Sequence, residues 1–134
     1  MTTYVDTSAL LKRYVAEADS AVADEILAGA GTLVTARHTV VEVRRNLARL
    51  LGGEDLARAR ATFVADLAAI SIVELDADTC AAAASIAEAS GVRTLDALHL
   101  AAAQRVAESG MRFLTFDARQ AQAARVLGLE VVPD

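Results

Sequence analysis

The sequence predicts an α/β fold in which a mostly parallel sheet of about five strands carries helices on both faces. Three observations lead there. Short β-type runs alternate with segments of helical period along the whole chain. Glycines close several of the helical segments, at Gly91 and Gly110 among others. A strand that ends in a single acid and runs into a helix occurs twice, at "TTYVDTSALL" and at "RFLTFDARQA". The 134 residues and 54% hydrophobic content are enough to close one core. We therefore expect a single domain over residues 1–134.

Thr2 to Val5 is the first strand, β-branched and aromatic, stopping at Asp6. Helical patterns follow at Ser8 to Ala16 and Ser20 to Ala28. After "GAG" comes a second strand, Thr32 to Thr35. His38 to Leu51 is helical, with Val40, Val43, Leu47, Leu50 and Leu51 as its core stripe, and Gly52-Gly53 stops it. Glu54 to Ala69 is a further helix. Ile70 to Leu75 alternates as a strand does. Ala77 to Ser90 and Leu95 to Ser109 are helices closed by glycine. Arg112 to Phe116 is a strand, Arg119 to Leu127 a helix and Glu130 to Val132 the last strand.

Composition narrows the function. The formal net charge is −5, which argues against a general electrostatic binder of nucleic acid, while leaving room for a local basic patch. Lys12 is the only lysine among 13 basic residues. With one cysteine and two histidines, zinc-finger spacing is absent. Cys80, in the apolar "TCAAAASIA", reads as a buried structural thiol. No apolar run approaches the ~18 residues of a membrane span. No secretory signal pattern opens the chain, so a cytoplasmic protein is expected.

Four acids stand out. In an open parallel sheet, ligands bind beyond the carboxyl ends of the strands, which is where Asp6 and Asp117 fall. If their strands are neighbours, the two acids converge on one sheet edge. Taken singly, each also reads as a helix N-cap. Asp96, in "TLDALHLAAA", lies on a helix that is apolar nearly all round. An ionised carboxylate there is costly unless paired or bound to a metal, so a functional role outweighs a first-turn acid capped by Thr94. Glu42, in "VVEVRRNL", points away from its helix's core stripe, toward His38, Arg45 and Arg49. Periodicity alone makes it solvated, with a weak Glu42–Arg45 ion pair. His99, one turn beyond Asp96, reads as a hydrogen-bonded core histidine. Lys12 and Arg13 are assigned no chemistry.

Together, "YVDTSALLKRY", "VVEVRRNL", "TLDALHLAAA" and "FLTFDARQAQAARVLGLEVV" resemble the PIN domain, and more narrowly the VapC-type ribonuclease toxins of bacterial toxin–antitoxin pairs. The resemblance spans essentially the whole chain. It implies a three-layer α/β/α domain with an acidic pocket at one sheet edge. It assigns Asp6, Glu42, Asp96 and Asp117 as pocket carboxylates, overriding the solvated reading of Glu42, with Thr7, Ser8 or Thr115 in support. It further implies a homodimer and a small antitoxin whose arginine enters the pocket. An oxygen-rich site without cysteine suits Mg²⁺, with Mn²⁺ as substitute. The reaction expected is hydrolysis of single-stranded RNA, with Asp6 and Asp96 binding metal and Glu42 and Asp117 completing the shell. Arg45, Arg93 and Arg119 flank the acids and are candidate phosphate contacts. Three alternatives fit less well. A haloacid-dehalogenase-like phosphatase wants an acid where Ser8 stands. A phospho-acceptor receiver wants a late lysine. A silent PIN-like binding module has no need of all four acids.

Overall fold

The β-type runs pair into one sheet because each is too short and too apolar to stand alone. The computed structural model describes residues 1–134. The strands are β1 (Thr2–Val5), β2 (Thr32–Ala36), β3 (Ile70–Val73), β4 (Arg112–Leu114) and β5 (Glu130–Val132). They form a five-stranded sheet in the order β3-β2-β1-β4-β5. Every neighbouring pair is parallel. The helices are α1 (Thr7–Leu11), α2 (Ser20–Ala28), α3 (Arg37–Leu50), α4 (Gly53–Leu67), α5 (Ala77–Ser90), α6 (Thr94–Val106) and α7 (Ala118–Val126).

Alternation along the strands splits the core into two layers. On one face Tyr4, Val34 and Phe113 meet Ala83 and Ile86 of α5, Leu100 of α6 and Ala124 of α7. Tyr4 and Phe113 stack there with ring centroids 5.3 Å apart. On the other face Val5, Ile70 and Leu114 meet Leu10 of α1, Leu47 of α3 and Phe63 of α4. Burying a side chain such as Phe63 or Leu47 contributes roughly 1.5–3 kcal/mol. Gly91 closes α5 in the left-handed region, at φ 73°, which a glycine adopts without a Cβ penalty. Gly31 (φ 70°) turns the chain into β2, where a Cβ would stand 2.3 Å from the Met1 carbonyl oxygen.

Some expectations about packing are overturned. Cys80 is exposed. The buried stripe of α5 is Thr79, Ala83 and Ile86, and Cys80 stands one residue off it. An alanine-rich helix does not announce its inner face. Leu50 is also exposed, at 42%, because α3 buries only Thr39, Val43 and Leu47 fully. The first helix is one regular turn rather than a run to Ala16; Thr7–Leu11 gives way to turns. Gly52-Gly53 starts α4 rather than capping α3, whose cap is Leu51.

Candidate active site

Strand register builds the first half of the site. Val5 sits opposite Leu114, so Asp6 and Thr115 leave neighbouring strands side by side. The Asp6 N–H still donates to the Leu114 carbonyl, at 3.2 Å. Asp6 is 3% exposed. Its Oδ1 accepts from the Ala9 N–H (3.0 Å) and the Ser8 hydroxyl (2.7 Å), and its Oδ2 accepts from the Thr115 hydroxyl (2.5 Å). Each hydroxyl is held in turn. Ser8 Oγ accepts from the Phe116 N–H, and Thr115 Oγ1 from the Asp117 N–H. Asp117 caps α7, with Oδ1 accepting from the N–H groups of Arg119 (2.9 Å) and Gln120 (3.0 Å). Both acids are therefore caps, and both lie at the edge formed by β1 and β4.

Helix α3 starts directly after β2, beside β1, and brings Glu42 to the N-terminus of α1. The Thr7 hydroxyl donates to Glu42 Oε1 at 2.7 Å. His99 of α6 reaches the same oxygen through Nε2 at 3.0 Å. His99 is 2% exposed, and its Nδ1 lies 2.8 Å from the Tyr4 hydroxyl. One tautomer satisfies this chain: Tyr4 donates to Nδ1, and Nε2–H donates to Glu42. His38, one turn before Glu42, lies with Nε2 3.5 Å from Oε1 and its ring 4.1 Å from that of His99. Burial pushes Glu42 up, but the bonds from His99 and Thr7 and the nearby imidazoles more than offset it, leaving its pKa below the usual value. Burial, reinforced by His99, holds His38 down at about 4.

Asp96, in the first turn of α6, is half-buried. Its carboxylate is 3.7 Å from the Arg93 guanidinium, and its backbone carbonyl accepts from Gln120 Nε2 at 3.2 Å. Gln120 thereby ties the starts of α6 and α7 together. Burial raises the Asp96 pKa, the charge on Asp117 raises it further and Asp6 adds to this, against Arg93 and His99. Asp6 is also raised, first by burial, which His99 and the bonds from Thr115, Ser8 and Ala9 only partly offset. These acids stand in one another's field with too little built-in positive charge. Carboxylates and hydroxyls supply the oxygen donors that Mg²⁺ or Mn²⁺ take. All three candidate arginines are exposed, and Arg93 is the one whose guanidinium pairs with one of these acids.

The PIN domain model matches residues 3–126 of the chain. The protein belongs to the PIN-domain family. It is 32% identical over 135 residues to Ribonuclease VapC49 of Mycobacterium tuberculosis, a match that covers 97% of this chain and 94% of that protein. Its fold is similar to that of M. tuberculosis VapC20, described as a sarcin-ricin loop cleaving toxin, with a TM-score of 0.70 at 19% identity over 90% of this chain and 94% of the other. It is also similar to VapBC-5, a member of the VapBC family of toxin–antitoxin systems from the same organism, with a TM-score of 0.64 at 20% identity over 98% and 97%.

In this PIN domain the Glu42–Arg45 pair does not form; the partners of Glu42 are Thr7, His99 and His38. Lys12, given no chemistry from the sequence, is largely covered. Its side chain is 10% exposed, close to Glu17 and Asp19, and lies over the Phe116 ring. Tyr4, His38 and Gln120 were not among the residues marked by motif or spacing in the sequence. His38 carried one signal, standing four residues before Glu42 on the same helix face. Tyr4 and Gln120 carried none, since each acts through a contact distant in sequence.

Proposed function

We propose that this PIN domain, taken as residues 1–134, is a metal-dependent endoribonuclease that hydrolyses phosphodiesters of single-stranded RNA as the toxin of a toxin–antitoxin pair. The observation that carries the reading is the gathering of acids at one sheet edge, with Asp6 and Asp117 joined through Thr115 and Asp96 tied to the start of α7 by Gln120. Asp6 and Asp96 are both pushed up by burial, and Asp96 also by its acidic neighbours, which is the environment that a bound cation relieves. The identity to a protein named Ribonuclease VapC49 supports the substrate class.

Asp6 and Asp96 would hold Mg²⁺ or Mn²⁺, with Glu42 and Asp117 completing the shell directly or through water. When bound, such an ion lowers the pKa of its water and neutralises charge on the phosphate and the leaving oxygen. The chain's own groups do the positioning. Ser8 and Thr115 clamp both oxygens of Asp6. Thr7 and His99 hold Glu42 Oε1 and leave its second oxygen available. Asp117 is oriented by the start of α7. Arg93 is placed to meet a phosphate brought to Asp96. Arg45 and Arg119 serve farther along the strand of RNA.

The partners follow from the same reading: a second copy of this chain, and a small antitoxin that blocks the acidic pocket with an arginine. VapBC-5 supports the pairing. No helix is long and apolar enough to cross a membrane, and we place the protein in the cytoplasm with its RNA. The test is cleavage of a labelled single-stranded RNA, with and without Mg²⁺, by wild type, Asp6→Asn and Asp96→Asn. Cleavage that needs the ion and is lost in both folded variants is expected. Variants as fast as wild type would overturn the mechanism.

A further inference from the structure

Beside the carboxylates lies a donor set of another kind. One nitrogen each of His38 and His99 and one oxygen of Glu42 lie within 4.8 Å of one another. Glu42 Oε1 stands 3.0 Å from His99 Nε2, and donors bound to a tetrahedral zinc ion stand about 3.3 Å apart, so this contact is already near a coordinating spacing. His38 Nε2, 3.5 Å from the same oxygen, is held by the Leu95 carbonyl, which leaves Nδ1 as the nitrogen His38 would offer to an ion. His38 and Glu42 share one face of α3, and His99 comes from α6.

Two further observations point to a ligand. The His38 side chain is 10% exposed, and its Nδ1 is buried without a hydrogen-bond partner, whereas buried nitrogens are normally satisfied. The far nitrogens are also supported. Tyr4 Oη lies 2.8 Å from His99 Nδ1, and the Leu95 carbonyl lies 3.1 Å from His38 Nε2. An oxygen on the remote nitrogen is what fixes a metal-ligating histidine. For His99 to bind through Nε2, its neutral ring only has to change tautomer. The proton passes to Nδ1, where the Tyr4 oxygen accepts it.

We propose that His38, Glu42 and His99 form a site for a borderline transition ion of the Zn²⁺ class, and that filling it inhibits the nuclease by engaging Glu42. Imidazole favours such ions and carboxylate-only sets favour Mg²⁺, so the two sets differ in preference while sharing one residue. The inhibitory half rests on the ribonuclease reading; the binding half does not.

The experiment begins with the purified full chain, stripped with EDTA, dialysed against Zn²⁺ alone and assayed for bound metal. Co²⁺ in place of Zn²⁺ reports nitrogen ligation through its visible absorption. One tightly held equivalent is expected, weakened at least about tenfold in His38→Gln and His99→Gln and unchanged in Asp117→Asn. His38→Gln carries the test if the buried His99 variant does not fold. Histidine variants that bind as tightly as wild type, or loss of binding in Asp117→Asn, would overturn the site. The second readout is the ratio of RNA cleavage rates in Mg²⁺ with and without Zn²⁺. A ratio near one in His38→Gln but well below one in wild type supports the shared Glu42. Equal ratios overturn it. Zn²⁺ bound through the histidines with no Mg²⁺-dependent cleavage upholds the site and overturns the ribonuclease reading. Cleavage without Zn²⁺ binding does the reverse.

Discussion

Asp6 is asked to cap α1 and to remain charged while buried, and the two demands conflict. Its folded pKa is raised above the ordinary 3.8. The folded state therefore holds the proton more tightly than the unfolded chain does. That contribution to stability is fully present below about pH 3.8 and is lost as pH rises through the raised value. At neutral pH the ionised carboxylate destabilises the fold. Asp6→Asn keeps a good cap and removes the charge. It is expected to abolish cleavage while stabilising the protein by about 0.5–2 kcal/mol, a gap that narrows on acidification. Thermal melts of both proteins at neutral and acid pH check the sign. A second residue acts through its neighbour. His99 grips Glu42 and is itself gripped by Tyr4. Tyr4→Phe removes only the outer hydroxyl and should lower activity roughly 10-fold, with His99→Gln toward 100-fold. The loss should be partly recovered at higher Mg²⁺ if positioning of Glu42 is what fails. A Tyr4→Phe protein with unchanged metal dependence would separate Tyr4 from the site.

Helix α6 shows how an element makes a site. Ala97, Ala101, Ala102 and Ala103 are all buried to within 2%, so the helix lies close against the sheet and the rest of the core. From there it delivers Asp96 to the acidic edge and His99, three residues on, to Glu42. Ala102→Leu should overpack this contact at a cost of about 1–3 kcal/mol. Activity should fall further than stability explains, because the helix is displaced together with its acid. Urea melts and cleavage rates on the same variant compare the two. Nearly all of the elements were legible in the sequence, since strand–helix alternation is a local signal; of the glycine stops only Gly91 caps its helix, while Gly52-Gly53 opens α4 and α6 ends at Val106, short of Gly110. Asp6 and Asp117 were legible for the same reason: each ends a strand, and β1 and β4 are neighbours. Glu42 was not. Helical period places it away from the α3 core stripe, and only the docking of α3 against Thr7 and His99 turns that polar face inward. Cys80 failed in the opposite sense, because its all-apolar surroundings carry no phase.

The whole molecule carries a net charge of −5 and concentrates unrelieved negative charge where RNA is proposed to bind. Under the proposed function the phosphate chain and the metal-free acidic edge would repel each other, and a bound cation would act on stability, on binding and on chemistry together. This gives a prediction independent of catalysis. Any ion that binds only the folded state stabilises it by RT ln(1 + [L]/Kd), about 2.7 kcal/mol at 100 times Kd. Mg²⁺ should therefore raise the melting temperature of the wild type in a dose-dependent way. Asp96→Asn and Asp117→Asn should lose most of that increment while folding normally without the ion. Asp6→Asn should begin with the higher melting temperature and gain the least, so that wild type and variant approach each other as Mg²⁺ is added. The measurement is a set of melts across a Mg²⁺ series with K⁺ controls at matched ionic strength, because general screening of a net negative charge also stabilises. An equal rise in K⁺, or an undiminished rise in Asp96→Asn, would show that the edge senses ionic strength and holds no specific ion.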